Sequence, residues 1–110
     1  MINEYVDIKR VEAFLKVEIF AAAEMTKFAE SCADHPENET HKANILSTTV
    51  DSIVKQLNEL FDFEEPYVDD TDLIDNLADA IRANKMVTAM NTISTMYVSR
   101  LVKERKENIG

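Results

Sequence analysis

Cys32, His35 and His41 fall within one ten-residue window. Thiolate and imidazole are good zinc ligands, and Cys-x-x-His is a usable ligand pair. Asp34, Glu37 or Glu39 could add a fourth donor. The doubled Cys pairs of structural zinc sites are missing, however. A lone cysteine ordinarily packs as a small hydrophobe, and histidines in a polar turn face solvent. The reading is therefore no metal and no cofactor.

Carboxylates offer a second chemistry. Glu59 and Asp62 stand one helical turn apart, as do Asp72 and Asp75, with Asp79 extending the second set. Oxygen ligands at that spacing can hold magnesium against substrate phosphates. All-α pyrophosphohydrolases work this way, so an all-α magnesium-dependent nucleotide hydrolase is one alternative for this chain. Against it, these acids lie at helix ends and in a connection, and the paired-glutamate helices of such enzymes are absent. Cys32 has no glycine elbow or oxyanion turn beside it. The one glycine, Gly110, cannot build a phosphate-binding loop. No catalytic residue is assigned, and the chain reads as non-enzymatic.

The elements that would position these groups are helices. A chain of 110 residues with one Gly and two Pro cannot supply the turns of a β-rich fold. Hydrophobic residues make up 45%, enough for one globular core. The first helix is expected from about Glu4 to Ala33, ~40 Å long at 1.5 Å per residue. Its apolar seam is read as Ile8, Val11, Leu15, Ala22, Met25, Ala29 and Cys32, widened by Phe14, Val17, Ala21 and Phe28 and further by Ile19 and Phe20. Pro36 ends it.

A second helix is expected from Glu39 to Phe61, on the seam Ala43, Leu46, Val50, Ile53, Leu57 and Leu60. Asp62 to Asp70, broken by Pro66, forms an acidic connection. A short third helix follows over Asp72 to Ala83, bearing Leu73, Ile74, Leu77, Ala80 and Ile81. The stripe then changes phase to Met86, Met90, Ile93, Tyr97 and Leu101. This predicts a turn at Asn84-Lys85, since Asn tolerates the left-handed geometry that ends helices. One continuous helix from 72 to 106 is the alternative. The expected fold is all-α: a single domain, 1–110, forming an up-and-down bundle of about four helices with a long N-terminal helix.

Glu18 interrupts the first seam between Leu15 and Ala22. A buried carboxylate without a partner is expensive. Either it pairs across a dimer or lines a cavity, or the stripe swings to Ile19 and Glu18 faces water. The second outcome is expected. The widened stripe on a helix this long suggests that a second copy covers part of it, a possible homodimer.

The formal net charge is −9. Residues 59–79 hold nine acids and no Lys or Arg, whereas residues 82–110 hold six basic residues against two acids. The overall sign disfavours direct nucleic-acid binding. Arg100, Lys103, Arg105 and Lys106 suit the negative end of their own helix. Met86, Met90 and Met96 could form an adaptable apolar surface, although methionines more often fill core. No apolar run approaches ~20 residues, so no membrane span is expected. The N-terminus lacks a signal-peptide pattern, and a single cysteine suits a cytoplasmic setting.

No motif carries a family resemblance. The expectation that remains is a small acidic helical protein that binds another protein and modulates it, as an adaptor or inhibitor. Its partner-binding residues would be Glu64, Glu65, Asp69, Asp70 and Asp72. In a second alternative these acids imitate nucleic-acid phosphates, as in inhibitors of virus or plasmid type, and block a DNA- or RNA-binding protein.

Overall fold

The computed structural model describes residues 8–34, 37–61 and 71–109. They form four helices: α1 (Ile8–Asp34), α2 (Glu39–Asn58), α3 (Thr71–Arg82) and α4 (Met86–Ile109). The bundle measures 54 × 23 × 19 Å. Its cross-section is thus about two helix diameters of ~10–12 Å. The four helices bear out the expected all-α bundle, with α1 the longest.

Local chemistry sets the boundaries. Asn38 caps α2, its Oδ1 accepting from the backbone N–H of His41 at 2.9 Å. Between α3 and α4, Asn84 has φ of 58°. Around it the N–H of Lys85 donates to Ala80 O at 2.8 Å and that of Asn84 to Ile81 O at 3.0 Å. This left-handed residue closes α3 by satisfying its last carbonyls. Helices α3 and α4 are therefore separate. The expected acidic connection, Asp62 to Asp70, lies outside the described residues.

The core is assembled from one face of each helix. Val50, Ile53 and Leu57 of α2 are buried as the periodicity predicts, with Leu46 and Leu60 half-buried. Leu77, Ala80 and Ile81 of α3 are buried too, and Leu73 and Ile74 pack against them.

Helix α1 departs from its predicted seam. Its buried face is Val17, Ala21, Met25 and Phe28, while Ile8, Val11 and Leu15 are 66%, 43% and 51% exposed. A strict 3-4 step drifts ~20° per heptad around a straight helix. A seam starting at Ile8 therefore reaches the core only at Met25. The expected swing toward Ile19 does not occur either: Ile19 is 71% exposed and Glu18 is half-buried.

Helix α4 also departs from expectation. Ala89, Ile93, Met96 and Arg100 are its buried residues, whereas Met86 is exposed and Met90, Tyr97 and Leu101 are half-buried. The true stripe begins at a small residue and ends at a charged one, so an apolar reading slips to the neighbouring face.

Candidate functional site

Helix α3 supplies the most ordered display of charge. Its spacing of three and then four residues places Asp72, Asp75 and Asp79 on one face. All three are exposed, and Leu77, Ala80 and Ile81 occupy the opposite, buried side. Asp72 lies in the first helical turn, where the helix dipole favours an anion. Asp79 accepts a hydrogen bond from Arg82 Nη2 at 3.3 Å, one turn on. The rise between successive carboxylate positions is ~5 Å.

Between α2 and α3 runs a shallow groove of about 420 Å³. Val50, Val54 and Ile74 form its apolar floor, and Asp51, Glu59 and Lys55 edge it. Asp51 and Glu59 are exposed. The groove's acids both come from α2 and its C-terminal cap, and Lys55 stands between them. Of the partner-binding residues expected from sequence, Asp72 is on the exposed acidic face of α3. Glu64, Glu65, Asp69 and Asp70 lie outside the described residues. Asp75 and Asp79 join Asp72 on that face without having been expected as binders, and their one-turn spacing was the signal for it.

The same geometry bears on the magnesium constellation. Carboxylate metal sites in bundles project inward from facing helices. Asp72, Asp75 and Asp79 project outward, Glu59 is exposed, and Asp62 lies outside the described residues. For zinc, Cys32 is half-buried, and His41 Nε2 lies 3.3 Å from Ser31 Oγ. His35 lies outside the described residues. Among the described residues no three His, Cys, Asp or Glu side chains come together as a metal site.

A second polar cluster fixes the far end of the bundle. Arg100, grouped from sequence with the basic residues that suit the end of α4, is instead fully buried before the last turns of that helix. Its Nε donates to Asn58 Oδ1 at 2.8 Å and its Nη1 to Met96 O at 3.3 Å. A guanidinium presents five donors in a rigid fork, so it can tie α4 to the end of α2 where an aliphatic residue could not. Next to it Phe14 stacks on Tyr97 with centroids 4.1 Å apart, and Phe61 meets Tyr97 at 5.7 Å. Arg10 covers Phe61 at 4.8 Å and bonds Glu104 at 2.6 Å. Of the remaining tail, Lys103 is half-buried while Arg105 and Lys106 are exposed. Met86, Met90 and Met96 are exposed, half-buried and buried in turn, so they form no continuous methionine surface.

At the opposite end lies a cavity of about 480 Å³, on the scale of small-ligand sites. Phe28, Cys32, Leu46 and Ile81 line its interior, with Ala29 and Ala33 of α1 at its edge. No described helix is long and apolar enough to cross a membrane. The chain matches no protein-family model, no curated protein and no solved structure.

Proposed function

We propose that this chain is a non-enzymatic helical module that binds another protein through its acidic face and modulates it. One observation carries the reading: the outward column Asp72, Asp75 and Asp79 on α3, three exposed carboxylates at one-turn spacing opposite the buried Leu77, Ala80 and Ile81. An exposed column of one sign of charge suits a basic amphipathic segment, with apolar burial giving affinity and charge giving orientation and rate. Glu64, Glu65, Asp69 and Asp70 belong to the same acidic stretch of sequence and extend the proposed binding set. A cytoplasmic setting fits, because the one cysteine calls for no oxidising compartment.

The test is affinity capture from source lysate treated with nuclease, at low and high salt, followed by titration of the captured protein. Replacing Asp72, Asp75 and Asp79 with Lys should weaken binding at least ~10-fold and flatten its salt dependence, with helicity unchanged. Equal affinity for the charge-reversed chain would remove the acidic face from the function. Phosphate mimicry is a second reading, favoured by the one-turn carboxylate spacing. In that case the captured protein binds nucleic acid, and this chain displaces it.

A further inference from the structure

The outer face of α1 is unlike any other surface of the bundle. Ile8, Leu15, Ala22 and Ala29 follow one another at seven-residue intervals, as do Ile19, Thr26 and Ala33. These positions share one helix face. Its first half is bulky and exposed: Ile8, Val11, Leu15 and Ile19. Its second half is small: Ala22, Thr26, Ala29 and Ala33. The small half ends at the edge of the 480 Å³ cavity, which Ala29 and Ala33 help to line.

We infer that this face is covered by a second copy of the same chain, with the two α1 helices antiparallel about a two-fold axis near Ile19–Ala22. The size gradient selects that arrangement. In a parallel pair, bulky meets bulky at one end and alanine meets alanine at the other, and the helices splay. In the antiparallel pair, Ile8 lies against the partner's Ala33, Leu15 against the partner's Thr26, and Ile19 against the partner's Ala22. Large then meets small at these three levels, and the axes stay within the ~8–10 Å of packed helices. An isologous interface requires such self-complementarity, each copy offering both the bulky and the small half. The same register brings Ile8 and Val11 to the mouth of the partner's cavity.

Charge and area agree with this. Helix α1 carries four basic and five acidic residues, so little of the net −9 lies on it. Two strongly acidic chains repel least along this helix. A strip ~40 Å long and a helix wide is on the scale of the ~800 Å² per partner found in stable interfaces. Val98 and Val102 of α4, also exposed, stand level with its bulky half through the Phe14–Tyr97 and Arg10–Glu104 contacts. This surface is separate from the acidic face of α3, so either proposal can fail alone.

The full chain should sediment as a dimer across the micromolar range. Leu15→Lys with Ile19→Lys should raise the dissociation constant ~100-fold or more while leaving helicity unchanged, because both side chains are exposed. Orientation is read separately in a Cys32→Ser background. Leu15→Cys combined with Thr26→Cys should oxidise to a covalent dimer, and neither change alone should. In the antiparallel pair a residue at 15 and its copy stand ~16 Å apart by helical rise, beyond the ~7 Å Cα separation that a disulfide spans. A monomeric chain, a dimer untouched by the lysine pair, or cross-linking by Leu15→Cys alone would each overturn the inference. A monomer that co-sediments with anionic lipid vesicles would assign the face to a membrane surface instead.

Discussion

Arg100 Nε lies 2.8 Å from Asn58 Oδ1, an amide acceptor for a guanidinium that has no exposed surface. This contact joins the last residue of α2 to the middle of α4. Asn58→Leu preserves bulk and removes the acceptor from a buried charged donor. It should destabilise the fold by about 1–3 kcal/mol, read as a lower urea midpoint at unchanged slope. An unshifted midpoint would show that the amide contributes nothing there.

The stacked rings of Phe14 and Tyr97 hold α1 against α4. Phe14→Leu and Tyr97→Leu should each destabilise the bundle. A double-mutant cycle should return a coupling of about 0.5–1.5 kcal/mol beyond the loss of buried area. Additive effects would reduce the pair to ordinary packing.

Asn84 holds a φ of 58° between α3 and α4. Asn84→Gly should be neutral or mildly stabilising. Asn84→Val should cost about 1–2 kcal/mol, since a β-branched side chain clashes in the left-handed region. Thermal melts of the two variants decide this. Equal melting temperatures would mean that the turn has relaxed out of that geometry.

Arg10 bonds Glu104 and also covers Phe61. Both charged side chains are 23% exposed, so solvent screens the pair. Arg10→Met keeps most of the stem and removes the charge. It should cost up to about 1 kcal/mol at low salt and less at high salt. A loss independent of salt would point to packing of the stem alone.

Local signals in the sequence pointed to about four helices and most of their limits, while the structure decided that α3 and α4 are separate. Pro36, the near absence of glycine and the tolerance of Asn84 for left-handed geometry act within a few residues, so they read directly from the chain. The inward faces of α2 and α3 were legible as well, because Val50, Ile53, Leu57, Leu77 and Ile81 sit on single clean stripes. The one-turn spacing of Asp72, Asp75 and Asp79 was legible too. That this column faces outward, opposite Leu77 and Ala80, follows only once the core face of α3 is known.

Tertiary structure alone decided the rest. Residues 13–23 of α1 are apolar on more than one side, so periodicity cannot choose between Val17–Ala21 and Leu15–Ile19 as the inward pair. The choice belongs to whichever neighbours pack closest, and Tyr97 and the α2 core select the former. Arg100 reads as a tail charge in sequence because hydropathy scores its guanidinium as solvated. Only when α2 brings the Asn58 amide to it does burial become affordable, since a desolvated cation needs acceptors that come from far along the chain.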